Sequence, residues 1–149
     1  MDLRQINFGI EIETVNRTRE RVAWAIDFLI GGHIRHVGSP ASFDPWEITD
    51  EQGRTCKVAS DGSLINVPGH LRADVVSQVL AYADISTLQK MIRAVRRCGA
   101  KIDQRCGILI HLDATASDGR TLGNLVKIIY KQEPLILNAL GVNENRQQN

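Results

Sequence analysis

The chain predicts an α+β fold, an antiparallel or mixed sheet covered by helices on one face. Three observations predict it. Several segments alternate apolar and polar residues with period two, which marks strands with one buried face. Helical repeats stand between groups of strands, in the order β-α, several strands, α, β, α. The 149 residues are 43% hydrophobic and 23% charged, the balance of an ordinary globular chain of single-domain size.

The elements follow in order. From Asn7 to Val15, Phe8, Ile10, Ile12 and Thr14 point one way, and Gly9, Glu11 and Glu13 the other. Arg17 to Ile30 reads as a helix with Val22, Ala25, Ile26 and Leu29 as its apolar stripe, ended by Gly31-Gly32. His33 to Val37 is a short strand, and Gly38 to Pro45 is rich in turn residues. Trp46 to Thr49 and Thr55 to Ala59 form a hairpin across Asp50-Glu51-Gln52-Gly53, and Asp61-Gly62-Ser63 is a turn. Leu71 to Ser77 is a valine-rich strand. Ser86 to Cys98 is the clearest helix, with Ile85, Leu88, Met91, Ile92 and Val95 as its stripe, Ser86 as its N-cap and Gly99 closing it. Gly107 to Asp113 is a strand whose core face is Ile108, Ile110 and Leu112. Thr121 to about Leu140 is helical, and Pro134 should kink or divide it.

Formal net charge is +1, so no global field points to nucleic acid or anionic lipid. No apolar stretch approaches the roughly 20 residues of a bilayer span, and the N-terminus lacks a signal-peptide core; the expected compartment is the cytoplasm. Cys56, Cys98 and Cys106 show no C-x-x-C spacing, which speaks against a disulfide framework or a structural zinc and for unpaired thiols. Arg93, Arg96, Arg97, Lys101 and Arg105 gather near the end of the clearest helix, which reads first as a solvated face and second as a phosphate or nucleic-acid patch; the lack of interleaved aromatics speaks against a stacking platform.

Four segments could carry chemistry. Glu11 and Glu13 share one strand face and repel one another; a hard cation beside them relieves the repulsion, as does bulk water on an exposed sheet. In Cys106 to Asp113, His111 and Asp113 share the face opposite the core, where Leu109 interrupts the polar alternation. A histidine there can ligate a metal, contact a phosphate or simply bond within the fold. Lys57 to Leu64 carries Asp61-Gly62-Ser63, a turn that also offers a carboxylate and a hydroxyl near a strand end. In Leu71 to Gln78, Asp74 stands among valines on the side of Arg72, as a surface contact of the two or as a further site carboxylate.

Taken in order, these segments resemble the amidoligase family, whose members are similar in fold to glutamine synthetase and the glutamate–cysteine ligases. The matching pieces are Phe8 to Glu13, Lys57 to Leu64, Arg72 to Leu80, Gly99-Ala100-Lys101, Cys106 to Asp113, and Asn124 through Leu135 to Arg146. The resemblance implies a curved, largely antiparallel sheet with helices on one face, part of the glutamine synthetase-like catalytic fold. It implies a single domain over residues 1–149 that lacks the family's C-terminal portion, with an uncovered sheet edge open to self-association.

The implied activity is ATP-dependent joining of a carboxylate to an amine, on small-molecule or peptide substrates, with neither nucleic acid nor membrane as partner. ATP and Mg²⁺ or Mn²⁺ are the implied cofactors. Glu11, Glu13 and Asp74 would be cation ligands; Asp61, Ser63 and His111 would be catalytic, His111 facing nucleotide or metal and the other two the substrate end. The family pattern Cys-Gly-x-His-x-His has Leu109 at its first histidine here. Asp74 stands for a usual glutamate, and Gln78 for a usual proline. Those departures make an impaired ligase, or a non-catalytic binding or interaction domain on the same fold, the alternative; a metal-dependent hydrolase is a third reading.

Overall fold

The computed structural model describes residues 2–39 and 42–142. The strands are β1 (Phe8–Val15), β2 (His33–His36), β3 (Trp46–Thr49), β4 (Thr55–Ala59), β5 (Arg72–Val76) and β6 (Ile108–Leu112). The α-helices are α1 (Arg19–Ile30), α2 (Ile85–Arg97) and α3 (Gly119–Ala139). Two compact units divide the chain, Met1–Leu112 and Asp113–Asn149. The first contains the whole sheet with α1 and α2; the second contains α3.

The six strands form one antiparallel sheet in the order β2-β3-β4-β5-β1-β6. The predicted α+β class and the predicted hairpin over Trp46–Thr49 and Thr55–Ala59 therefore stand. The first strand in the chain is inserted between two that come much later. Period-two geometry then sorts the sheet into two faces. Ile48, Cys56, Val58, Ala73 and Val75 are buried on one face against Val22, Ala23 and Ile26 of α1 and Met91 and Val95 of α2. The other face collects the acidic residues.

Helix α1 begins where the Thr18 hydroxyl accepts the Arg21 amide at 3.2 Å, which satisfies one otherwise unpaired donor of the first turn. It ends at Gly31, whose φ of 65° suits glycine, and its N–H bonds Asp27 O. Gly32 serves a second need: a Cβ there would lie 2.0 Å from the Thr49 carbonyl oxygen. The buried stripe is Val22, Ala23 and Ile26, not the expected set, and Leu29 is exposed. Apolar residues surround most of this helix, so spacing alone left its inward face open.

Helix α2 starts one residue before the expected cap. Ser86 lies inside it, and the Asp84 carboxylate instead accepts the Ala81 amide of the preceding turn. Its C-terminus is tied to the β1–α1 junction. Arg17 donates through Nε to Cys98 O at 2.7 Å and through Nη1 to Asn16 O at 2.7 Å. Gly99 has φ 95°, and a Cβ there would meet that guanidinium at 2.3 Å.

Three further expectations are corrected. Ile108, Ile110 and Leu112 do lie on the helix side of the sheet, yet every residue of β6 is exposed. The buried cluster on that side is built on β3, β4 and β5, and β6 is an edge strand that pairs with β1. Pro134 does not divide α3, which runs unbroken over 21 residues from an Asp118 cap that accepts the Thr121 amide at 2.7 Å. Arg72 does not pair with Asp74: it donates to Val67 O, Ile65 O and Asp61 O. Of the turn-rich stretch from Gly38 to Pro45, residues 40 and 41 lie outside those described. The three cysteines are free thiols, and burial pushes Cys56 up to about 12. Among the described residues no helix is long and apolar enough to cross a membrane.

The two α1 leucine-class positions give a direct check on this packing. Ile26 is fully buried and Leu29 is exposed. Ile26→Ala should cost about 2–5 kcal/mol in denaturant unfolding, while Leu29→Ala should cost about 0.5 kcal/mol or less. Equal losses would show that α1 is seated on the sheet by a different face.

Candidate functional site

Register builds the site. Across β5, β1 and β6, Asp74 lies opposite Glu13, Val76 opposite Glu11, Leu109 opposite Glu11, and His111 opposite Gly9. All of these side chains stand on the face away from α1 and α2. Adjacent strands are about 4.8 Å apart, so Glu13 and Asp74 are neighbouring like charges. Opposed carboxylates destabilise a sheet unless a proton or a cation lies between them.

Glu13 is buried, at 6% exposure. Its Oε1 accepts the Ser63 hydroxyl at 3.2 Å, and its Oε2 accepts the Gly107 amide at 2.5 Å. Burial pushes its pKa above the usual glutamate value, and a hydrogen bond with the Asp61 side chain pushes it the same way. Asp61 moves oppositely. Burial works against its charge, but hydrogen bonds from Glu13 and Ser63, with the nearby Arg72 cation, hold it below the usual aspartate value. The two carboxyls are therefore pushed apart, Glu13 toward its neutral form and Asp61 toward its charged form. The Asp61 carboxylate also accepts the Ser63 amide at 2.6 Å, which fixes the Asp61-Gly62-Ser63 turn over Glu13.

Asp74 carries the largest strain. Burial pushes its carboxyl up to about 7, and the charges of Glu11, Asp61 and Glu13 push the same way. Its Oδ1 is buried without a hydrogen-bond partner. The cation two residues away gives no relief, because Arg72 is turned onto the carbonyls of the 61–67 loop.

Glu11 lies at the open side. Its Oε1 pairs with His111 Nε2 at 2.9 Å, a diagonal reach from one strand to the next. Leu109, directly opposite Glu11 on β6, places an apolar side chain at that register position. The structure thus brings Glu11, Glu13, Asp61, Ser63, Asp74 and His111 to one side of one sheet. Asp113 bonds its own turn instead, through the Thr115 amide at 2.9 Å and the Thr115 hydroxyl.

Two features escaped the sequence reading. One is the Gly107 amide, a backbone donor with no side-chain signal. The other is a charged row beside the carboxylates: Arg35 to Glu47 at 3.0 Å and Lys57 to Glu47 at 3.4 Å. The hairpin register pairs Glu47 with Lys57, and the turn length already implied that pairing.

Whether these residues suit a divalent cation can be tested on the donors. All the carboxylate oxygens are hard donors, and the orphaned Asp74 Oδ1 wants a positive partner. Among the described residues, no three His, Cys, Asp or Glu side chains close around one point. That arrangement fits Mg²⁺, which is usually held by one or two carboxylates together with water and substrate phosphates rather than by a full protein cage. Glu11 and Asp74 are the residues open to such a role, with Glu13 already engaged beneath them.

The shift at Asp74 has a defined sign. Its ordinary value is 3.8 and its folded value about 7, so between them the folded chain binds more protons than the unfolded one. The stability it contributes is full below about pH 3.8 and is lost as pH rises through about 7. Asp74→Asn should therefore raise the melting temperature of the metal-free protein more at pH 8 than at pH 5. A gain of equal size at both pH values would refute the raised pKa.

A family model described as "Putative amidoligase enzyme" matches residues 4–149. No curated protein and no solved structure matches the chain. The match covers nearly the full length and all the site strands, and the chain belongs to the amidoligase family.

Proposed function

We propose that this chain is an ATP-dependent carboxylate–amine ligase domain whose reaction runs on the acidic face of the sheet. The observation that carries the reading is the convergence of Glu11, Glu13 and Asp74 from two neighbouring strands, with one buried carboxylate oxygen left without a partner. A protein gains nothing in stability from such an arrangement. A cation shared with nucleotide phosphates explains it.

In this reading Glu11 and Asp74 would hold Mg²⁺ or Mn²⁺, and Glu13 would join them only by giving up its bonds to Ser63 and the Gly107 amide. The cation, when bound, neutralises phosphate oxygens and orients the γ-phosphoryl group. The substrate carboxylate takes that group from ATP and releases ADP; the amine then attacks the acyl carbon and phosphate leaves. His111, held by Glu11, faces the nucleotide. Asp61 stays ionised and, with Ser63, marks the end where a cationic amine is received. Family membership supports the ligase class; ATP, the cation and these roles are proposed.

Leu109 favours a second reading, a domain that binds nucleotide on this face but turns it over poorly or not at all. It stands directly opposite Glu11, and leucine cannot ligate an ion. Turnover separates the two readings: ADP released only when both an amine and a carboxylate are present marks a ligase, and nucleotide binding without that release marks a binding domain.

Titration calorimetry with ATP and Mg²⁺ on folded protein should give binding heat, and its absence would defeat both forms of the proposal. Asp74→Ala and Glu11→Gln should each weaken that binding about tenfold or more. Leu109→His should strengthen it by placing an imidazole opposite Glu11; an unchanged affinity would mean that this position has no part in the site.

A further inference from the structure

The basic residues grouped by sequence near the end of α2 do not form one patch. Arg105 folds back on Asp103 at 2.5 Å. Arg96 and Lys101 lie over an apolar groove beside Ile12 and Met91, on the sheet side of α2. Arg93 and Arg97 turn outward into a different groove, between α2 and α1.

That outer groove has a volume of about 580 Å³. From α1 it takes Arg21, Trp24, Ala25 and Phe28; from α2 it takes Lys90, Arg93, Ala94 and Arg97. Both sets follow i, i+3/i+4, i+7 spacing, so two complete helical stripes run along its walls. Trp24 is 49% exposed and Phe28 is 93% exposed, a large aromatic surface for a water-facing helix layer. Sequence separates these rings from the α2 arginines by more than sixty positions, and only the helix pairing brings them together.

The charge on the groove has one sign. No acidic residue lines it, and α2 contains neither Asp nor Glu. Arg21, Lys90, Arg93 and Arg97 make no ion pair among the described residues; Arg93 touches only Gln89, at 3.5 Å. The lining residues that are not exposed are small, Ala25 from α1 with Ala94 and Cys98 from the other wall, and they form the floor. Small residues between two helices let a third backbone approach closely. A flat bilayer or a stacked base needs no such floor.

We propose that the α1–α2 groove docks an acidic amphipathic helix of a partner protein. An apolar anchor of the partner would lie on Ala25 and Ala94 between Trp24 and Phe28. Its flanking carboxylates would meet Arg21, Lys90, Arg93 and Arg97. The stripes span eight residues on each wall, roughly 10 Å, so about two turns of the partner are engaged. The groove lies on the helix layer, opposite the carboxylate face, so this binding is separate from the ligase reading and survives its failure.

The test uses a helical peptide of about 18 residues with leucines along one face and glutamates beside them, and a second peptide with lysine for every glutamate. The glutamate peptide should bind the full chain, shift the Trp24 emission to the blue, and weaken between about 50 mM and about 500 mM salt. The lysine peptide should not bind. Phe28→Ser and the double change Arg93→Glu with Arg97→Glu should each weaken binding about tenfold. Both variants alter exposed side chains and should keep the parent melting temperature and the ATP–Mg²⁺ heat. No binding of the glutamate peptide, equal binding of the lysine peptide, or unchanged affinity in folded variants would overturn the proposal. So would tighter binding of single-stranded oligothymidine or of vesicles rich in anionic lipid.

Discussion

The placement of β1 between β5 and β6 is the constraint on which the rest of this structure depends. It sets Glu13 against Asp74 and Glu11 beside His111, although these partners are separated by about sixty to one hundred positions. A one-residue slip in that pairing would turn Ile10, Ile12 and Thr14 onto the open face and drive the glutamates into the core. Hydrophobic burial on the helix side therefore enforces an arrangement on the other side that electrostatics alone opposes. The apolar contacts that hold α1 and α2 to the sheet supply the free energy that keeps the carboxylates together.

The chain relieves part of that opposition locally. Ser63, the Gly107 amide and the Asp61 carboxylate all converge on Glu13, so one side chain joins the 61–63 turn to the segment that leads into β6. Burial and the neighbouring Asp61 push Glu13 toward its neutral form, which lowers the cost of holding it in a buried place. Asp74 receives no such help, since Arg72 is committed to loop carbonyls. The result is a site with one carboxylate satisfied, one ionised at the turn, and one left under tension toward the open face.

The two faces of the first unit are chemically distinct. One carries carboxylates beside a row of paired charges, and the other carries two helices whose outer groove is cationic and aromatic. The near-neutral net charge of the chain hides this division. Fields that decide recognition act within about a Debye length, so local composition on a face governs partners more than the total does.

The acidic face was legible in the sequence, because period-two alternation placed Glu11 with Glu13 and the Lys57 to Leu64 and Cys106 to Asp113 segments offered the groups that the fold brings beside them. Hairpin and helix spans were legible for the same reason: turn residues and spacing act locally. Several matters were not. The inward face of α1 was ambiguous in a helix apolar nearly all round, and the exposure of Ile108, Ile110 and Leu112 depends on how far two helices extend across a sheet. By itself, then, the sequence determined the elements, the acidic face and the family. Tertiary structure alone decided that Asp74 faces Glu13 without a partner, that Arg72 turns away from it, and that Trp24 and Phe28 stand among the arginines of α2. Those outcomes rest on contacts between residues distant in the chain, where packing rather than local propensity selects the neighbour.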